Sequence, residues 1–278
     1  MATLISSLTT SQIAGLSTRA IQAMTTEDWA ALSSTQAAAL TTAQVAVIQS
    51  QDFKAISTSA LSGLTTSGIA ALTTSQMVAM STTQFKSLST DQISAIETAD
   101  LRALSTAQIR VLSTTQAAAF TTDQILVLTS AELRALSTDN IRALTTDQVA
   151  ALDSTQVGAL MTGQLGALST TQVAAIETAD LAGLNSASIR ALSTDQVKAL
   201  TTDQIVALNS AQVGSIATTQ VRALTTDQIA AIETNDIRAL NSAQIAALTT
   251  DHTVALTTDL IRALTTAEVR ALTTTDIR

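Results

Sequence analysis

The sequence predicts an all-α solenoid of very short helices, one per eight-residue repeat, wound around a Leu/Ile core. Three observations predict it. Every residue whose number is a multiple of eight, from Leu8 to Leu272, is Leu, Ile, Met or Phe, which makes 34 octads without insertion or deletion. A period held this strictly means repeat architecture. The third residue of each octad, from Thr10 to Thr274, is always Ser or Thr. The charges are sorted within the octad: all 22 carboxylates fall in the second, fourth or fifth slot, and 13 of the 14 cations fall in the seventh, Arg19 being the exception.

The unit reads Leu-Thr-Thr-Asp-Gln-Ile-x-Ala, as in residues 224–231. Its slots are numbered one to eight from the Leu, and an octad is named by the number of its first residue. One continuous helix is excluded, because eight residues at about 100° each leave a drift of roughly 80° per octad. The Leu row would then wind round the helix and form no buried stripe. Strands are excluded because slots one, six and eight do not alternate, and Ala and Gln are poor strand formers.

A helix broken once per octad accounts for each slot. Slot two, mostly Ser, Thr or Asn, is the N-cap. The slot-five Gln stands three residues later, at the capping-box spacing, and Leu in slot one pairs with Ile in slot six as a hydrophobic staple. Carboxylates such as Asp91, Asp123, Asp147 and Asp203 lie in the first turn, and cations such as Arg102, Arg134, Arg190, Lys198, Arg238 and Arg270 in the last, as the helix dipole favours. Asp139–Arg142 and Asp259–Arg262 have i,i+3 spacing. One ambiguity stays open. Glu97, Glu177 and Glu233 occupy slot two with Asp100, Asp180 and Asp236 in slot five, and there Thr98, Thr178 and Thr234 are alternative N-caps.

A helical wheel places slots one, two, five and six inward, slots three, four and seven outward, and slot eight at the border. A helix this short needs its neighbours, so the octads coil, with three per superhelical turn favoured over four. Trp29, Phe53 and Phe85 in slot six and Phe120 in slot one are core fillers. Ala20, Ala37, Ala60 and Gly68 replace the usual slot-five or slot-six residue toward the N-terminal part, which reads as a cap or as diverged repeats. Residues 1–7 form a lead-in, and residues 8–278 one continuous solenoid.

Composition narrows function. There is no Cys and no Pro, and net charge is −8. Thiolate metal sites are excluded, and nucleic acid is not an expected partner. No apolar run reaches membrane-spanning length. Residues 1–8 lack the basic region and long apolar stretch of a secretory signal, which leaves a cytosolic chain, export without such a signal, or a fragment of a longer protein. The one His, His252 in slot five, reads as a Gln replacement at a half-exposed cap position. Ser and Thr lack a neighbouring base, no phosphate loop is present, and the slot-four Asp residues are too sparse for calcium loops. No catalytic, cofactor-binding or metal-ligating residue is assigned, no cofactor is expected, and the chain does not read as an enzyme.

Octads such as 144–151 and 168–175 carry the pattern Leu-[Ser/Thr]-Thr-x-Gln-[Ile/Val]-x-Ala. In this the chain resembles, over its whole length, low-complexity bacterial proteins commonly labelled haem-utilisation or adhesion proteins. The resemblance implies a large surface-associated protein, at the cell surface or outside it. A solitary His, no Cys and Met residues mainly in core slots offer no haem-ligand set, so the adhesive or structural role is the one carried over. The expected function is a rod, self-assembling filament or adhesin stalk. The final residues, Leu272 to Arg278, end inside an octad without a polar cap, and repeat arrays normally need caps, so head-to-tail self-association is expected. The alternative is a binding module that uses the outward Thr rows against a periodic surface such as ice.

Overall fold

A computed structural model describes residues 5–272. The open C-terminal octad expected above lies outside the described residues, apart from Leu272. A 3-10 turn, Ile5–Ser7, precedes the repeats. Every octad from 8–15 to 264–271 then carries one helical segment of four to six residues, and no strand occurs among the described residues.

The helix starts at slot three because slot two is extended. In the octad at 200, Thr201 has φ −73° and ψ 160°, Thr202–Ala207 is helical, and Leu208 returns to φ −70° and ψ 134°. The corner is therefore made by two extended residues, slots one and two. No described residue has positive φ, so the corners need neither Gly nor Pro. The Thr201 Oγ1 accepts the Gln204 N–H at 3.1 Å, and the Gln204 Oε1 accepts the Thr201 N–H at 2.9 Å. This reciprocal pair satisfies two backbone N–H groups that a helix start leaves open.

The open N-cap question resolves to slot two throughout. Glu97, Glu177 and Glu233 are extended N-caps without a side-chain cap bond, and Thr98, Thr178 and Thr234 are the first residues of their segments. The cap oxygen is dispensable: the three Glu caps carry no box, and elsewhere the slot-five partner holds the other half alone. Met161 and Ala217 have no cap oxygen, yet their N–H groups still donate to Gln164 and Gln220 at 2.9 and 2.7 Å.

Two compact units are present, Met1–Ala143 and Leu144–Arg278. In each, a helix packs on those 24 residues before and after it. In the first unit Thr74–Ala79 lies against Ser50–Phe53 and Thr98–Leu101; in the second Thr202–Ala207 lies against Thr178–Gly183 and Thr226–Ala231. Twenty-four residues are three octads, so three edges make one turn of each coil, and the alternative of four is excluded. Slot-six residues form the innermost column, with Ile69, Phe85, Leu133 and Leu165 fully buried, and slot-one residues such as Leu128 and Leu208 line it. Trp29, Phe53, Phe85 and Phe120 are all buried, as core fillers should be.

The helical wheel is wrong for one slot. Slot two is outward: Thr41, Ser81, Ser105 and Thr201 are exposed. An extended corner residue does not obey the 100° helical step, so a wheel drawn through the corner misplaces it. Slot eight is half-buried because it meets the preceding layer. At Gly183 a Cβ would lie 1.9 Å from the Ser154 carbonyl oxygen; only Gly allows that approach.

Candidate functional site

A recurrent device among the described residues is a polar spine at the corners, built by slot five. A Gln side chain there is long enough to leave its own cap and reach the layer before. Gln76 Nε2 donates to the Val45 and Ile48 carbonyls at 2.7 and 2.8 Å. Gln204 Nε2 donates to the Val173 and Ile176 carbonyls at 3.0 and 2.7 Å. The acceptors sit at the end of the helix four octads back and at the corner that follows it. One amide thus satisfies a backbone donor of its own helix and two carbonyls of the previous layer. The Val45 and Val173 carbonyls already accept the Ile48 and Ile176 N–H groups at 3.2 and 3.3 Å, so the amide is their second donor. Every buried side-chain nitrogen and oxygen among the described residues has a partner.

His252 belongs to this spine. Contrary to the half-exposed position expected from sequence, it is only 4% exposed. Its Nδ1 accepts the Thr249 N–H at 3.2 Å, and its Nε2 lies 2.8 Å from the Leu224 carbonyl. A carbonyl can only accept, so Nε2 carries the proton. The imidazole reproduces both roles of the Gln amide. It is buried for the same reason as the Gln: slot five of one octad lies over the corner of the layer below.

Where slot five is Asp, the side chain is too short and has no proton to donate. At Asp52, Asp100 and Asp236 slot three supplies the donor, whereas Asp28 accepts the Thr25 N–H and hydroxyl of its own cap. The Thr26 and Thr74 hydroxyls donate to Asp52 and Asp100 at 2.6 Å each, and the Ser210 hydroxyl donates to Asp236. Each donor stands 26 residues earlier, one layer back. The sequence reading missed this use of slot three. Its signal was the uniform presence there of a hydroxyl, the one side chain that can be called on as donor. Asp180 is the exception in exposure, being only half-buried. Desolvation, then the Asp153 and Glu177 carboxylates, push its carboxyl above the usual value, against a lowering hydrogen bond from the Ser154 backbone.

The described slot-seven cations are exposed. The i,i+3 pairs form as expected, Arg142–Asp139 at 3.1 Å and Arg262–Asp259 at 3.8 Å, and both are solvated. Such pairs add at most about 1 kcal/mol. Arg190 and Arg238 instead use Nε to donate to the Ser215 and Ala263 carbonyls at 3.2 Å, the ends of helices one layer ahead.

One groove in the second unit, of about 530 Å³, runs over His252 between Asp195, Lys198, Arg222 and Asp251. Its walls are ordinary slot-four and slot-seven side chains, and both ring nitrogens of the His at its floor are engaged. Among the described residues no group of three or more His, Asp and Glu side chains is placed to hold a metal ion. No described helix is long and apolar enough to cross a membrane.

Comparison with known proteins agrees with this architecture. No curated protein matches the sequence. The model of the ALTTAQ repeat family matches at residues 5–42, 45–82, 93–130, 127–162, 173–210 and 229–266. These matches cover most of the chain, and their pattern is the octad whose layers the slot-five side chains join: the chain belongs to the ALTTAQ repeat family.

Proposed function

We propose that the chain is a non-enzymatic structural scaffold, a rod or self-assembling filament that serves as an adhesin stalk at the bacterial cell surface. The observation that carries the reading is the identity of the joint from layer to layer. Slot five faces the preceding layer and slot six the following one. In the last described turn, slot-six Ile261 and Val269 are accordingly 47% and 42% exposed, against 1–2% for Val213 and Ile205 in interior layers. Slot-five Gln12 in the first turn is exposed as well. Each layer thus has one side that is the chemical complement of the other, so a layer of a second copy can continue a stack. Contacts of this kind give open, head-to-tail assembly. The surface location rests on the resemblance of the octads to bacterial adhesion proteins.

Electron microscopy and sedimentation of the purified chain over a range of concentrations test the reading. Filaments that lengthen with concentration are expected. Dispersed monomers at high concentration would overturn the self-assembling version. A second reading, an outward Thr array binding a periodic surface, draws on the slot-three hydroxyls of Thr202, Thr226 and Thr250, exposed in successive layers. Ice-recrystallisation assays check it, and normal crystal growth rejects it.

A further inference from the structure

The polar spine of the first unit is broken over one whole turn. Before the break, Gln36 donates to the Ile5 and Leu8 carbonyls, and Gln44 to those of Ile13 and Leu16, at 2.7–2.9 Å. After it, Gln84 donates to Phe53 and Ile56, and Gln92 to Leu61 and Leu64, at 2.8–3.1 Å. Between them lie octads 48, 56 and 64, with Asp52, Ala60 and Gly68 in slot five. At the spacing of the other joints, a Gln at 60 would reach the Trp29 and Leu32 carbonyls, and one at 68 those of Ala37 and Leu40. The Trp29 and Ala37 carbonyls keep the Leu32 and Leu40 N–H groups, at 3.3 and 3.2 Å. Among the described residues no donor reaches the Leu32 or Leu40 carbonyl, and both residues are buried. Two side-chain bonds cross this joint: the Thr26 hydroxyl to Asp52 at 2.6 Å, and the exposed Gln49 Nε2 to the Gln22 carbonyl at 3.3 Å. Otherwise the contact is van der Waals, with Gly63 so close to the Ser34 carbonyl that a Cβ would overlap it. The later gaps of this unit, at Asp100 and Glu132, are single.

We propose that this turn is a seam at which the first unit opens: residues 5–47 part from residues 48–143 together, at a lower free energy than the unit unfolds. Opening a regular joint strips the slot-five amides of their acceptors and bares the carbonyls they held, and each such loss is costly. Opening the seam breaks two side-chain bonds and lets water reach the Leu32 and Leu40 carbonyls, which have no donor while it is closed. A buried carbonyl without a donor is itself a penalty on the closed state. The stability of a repeat array is close to a sum over its joints, so the joint with the fewest ties yields first. Residues 5–47 carry their own ties through Gln36 and Gln44, which favours parting in one step over fraying octad by octad. Such partial opening of contiguous segments is the usual form of sub-global motion. The seam is a property of one joint within one chain. It holds whether or not copies assemble, so the scaffold reading and the seam fail separately.

The chain carries its own reporter. Trp29 is its one Trp, fully buried, and it stands in slot six, which faces the following layer and therefore the seam. The test reads native-state hydrogen exchange within the first unit of the full chain, beside acrylamide quenching of Trp29 at rising denaturant. Amides of octads 8–40 should exchange through one common opening, about tenfold or more faster than those of octads 72–112. Trp29 should become quenchable while octads 72–112 are still protected. Ala60→Gln/Gly68→Gln supplies the missing amides. A Cβ at position 68 meets nothing nearer than the Thr65 hydroxyl at 3.4 Å. With circular dichroism confirming the fold, this variant should slow exchange in octads 8–40, which carry no substitution, by about tenfold, and should delay Trp29 quenching. If it does not fold, Thr26→Val serves: it removes the tie to Asp52 and should speed exchange in octads 8–40 with octads 72–112 unchanged. Equal protection on both sides of the seam in the wild type would overturn the proposal. So would protection that climbs octad by octad from residue 10 with no step after residue 47, which is simple fraying. A folded double variant with unchanged exchange and quenching, or a Thr26→Val chain in which both sets of octads change alike, would overturn it too.

Discussion

The two units share one layer geometry and differ in how they fill it. Met1–Ala143 has an uneven core column: Trp29, Ala37 and Val45 are the slot-six residues of one turn, and Ala117 precedes Phe120 in another. Its spine is interrupted where slot five is Ala20, Ala60 or Gly68. Leu144–Arg278 has a uniform column of Val, Leu and Ile over most of its length, and its spine is interrupted in turn where slot five is Ser188 or Leu260. Both columns are buried, apart from Thr253, Ile261 and Val269 in the last described turn. A turn therefore constrains total volume rather than any one residue, since a Trp is accommodated beside an Ala. The spine can also lose several members at once, since Asp52, Ala60 and Gly68 leave one whole turn of octads without a slot-five Gln.

The contrast can be broken by mutation, and the largest effect belongs to the interior charge. Leu200→Asp in the regular unit should cost roughly 4 kcal/mol or more by burying an unpaired carboxylate. Asp203→Ala, three residues later and outward, should stay within about 0.5 kcal/mol. Chemical denaturation compares the two, and equal losses would refute the assigned facing. Next comes volume. Trp29→Ala should cost about 3–5 kcal/mol, and Ile205→Val in the even column about 0.5–1.5 kcal/mol. If Trp29→Ala were as mild as Ile205→Val, the turn would be collapsing around the cavity and the uneven column would not be tightly packed.

The spine is third. Gln204→Leu strands the Thr201 N–H and the Ile176 carbonyl, while Val173 keeps its Ile176 donor, at about 1–3 kcal/mol for each group left unsatisfied. Gln12→Leu, in the first turn and open to water, should cost far less. Native-state hydrogen exchange would read the change at the Thr201 amide and across the layer. The smallest effect is at Asp180. Its native carboxyl binds a proton more tightly than the unfolded one, so ionisation opposes folding. That penalty is present at neutral pH and vanishes as pH falls through the raised native value toward the ordinary one. Asp180→Asn should therefore raise stability slightly near pH 7, by less than about 0.5 kcal/mol, and lose the advantage in acid. A variant that is more stable at pH 4 than at pH 7 relative to wild type would reverse the sign argued here.

Much of this was legible in the octad. Helix direction follows from the placement of Asp203 and Arg190, because the dipole sorts charge along a helix whatever the tertiary context. The core slots follow from Leu, Ile and Trp at fixed positions, because burial selects apolar side chains. Slot two and His252 were misplaced for a related pair of reasons. The corner residues are extended, and no helical wheel describes them. The environment of slot five is supplied by residues 28 and 31 positions earlier, which a repeat of eight does not announce.

The sequence by itself determined a directional unit: cap, acidic first turn, apolar staple, basic last turn and small eighth residue. These are local matters, decided by hydrogen-bond needs at a helix start, by the dipole and by side-chain size. Only the tertiary structure decided that three units make a turn, that Gln binds backward across layers, and that slot three becomes a donor to Asp52, Asp100 and Asp236. Those depend on which carbonyls the coil brings within reach of a side chain, and that is a property of the winding and not of any single octad.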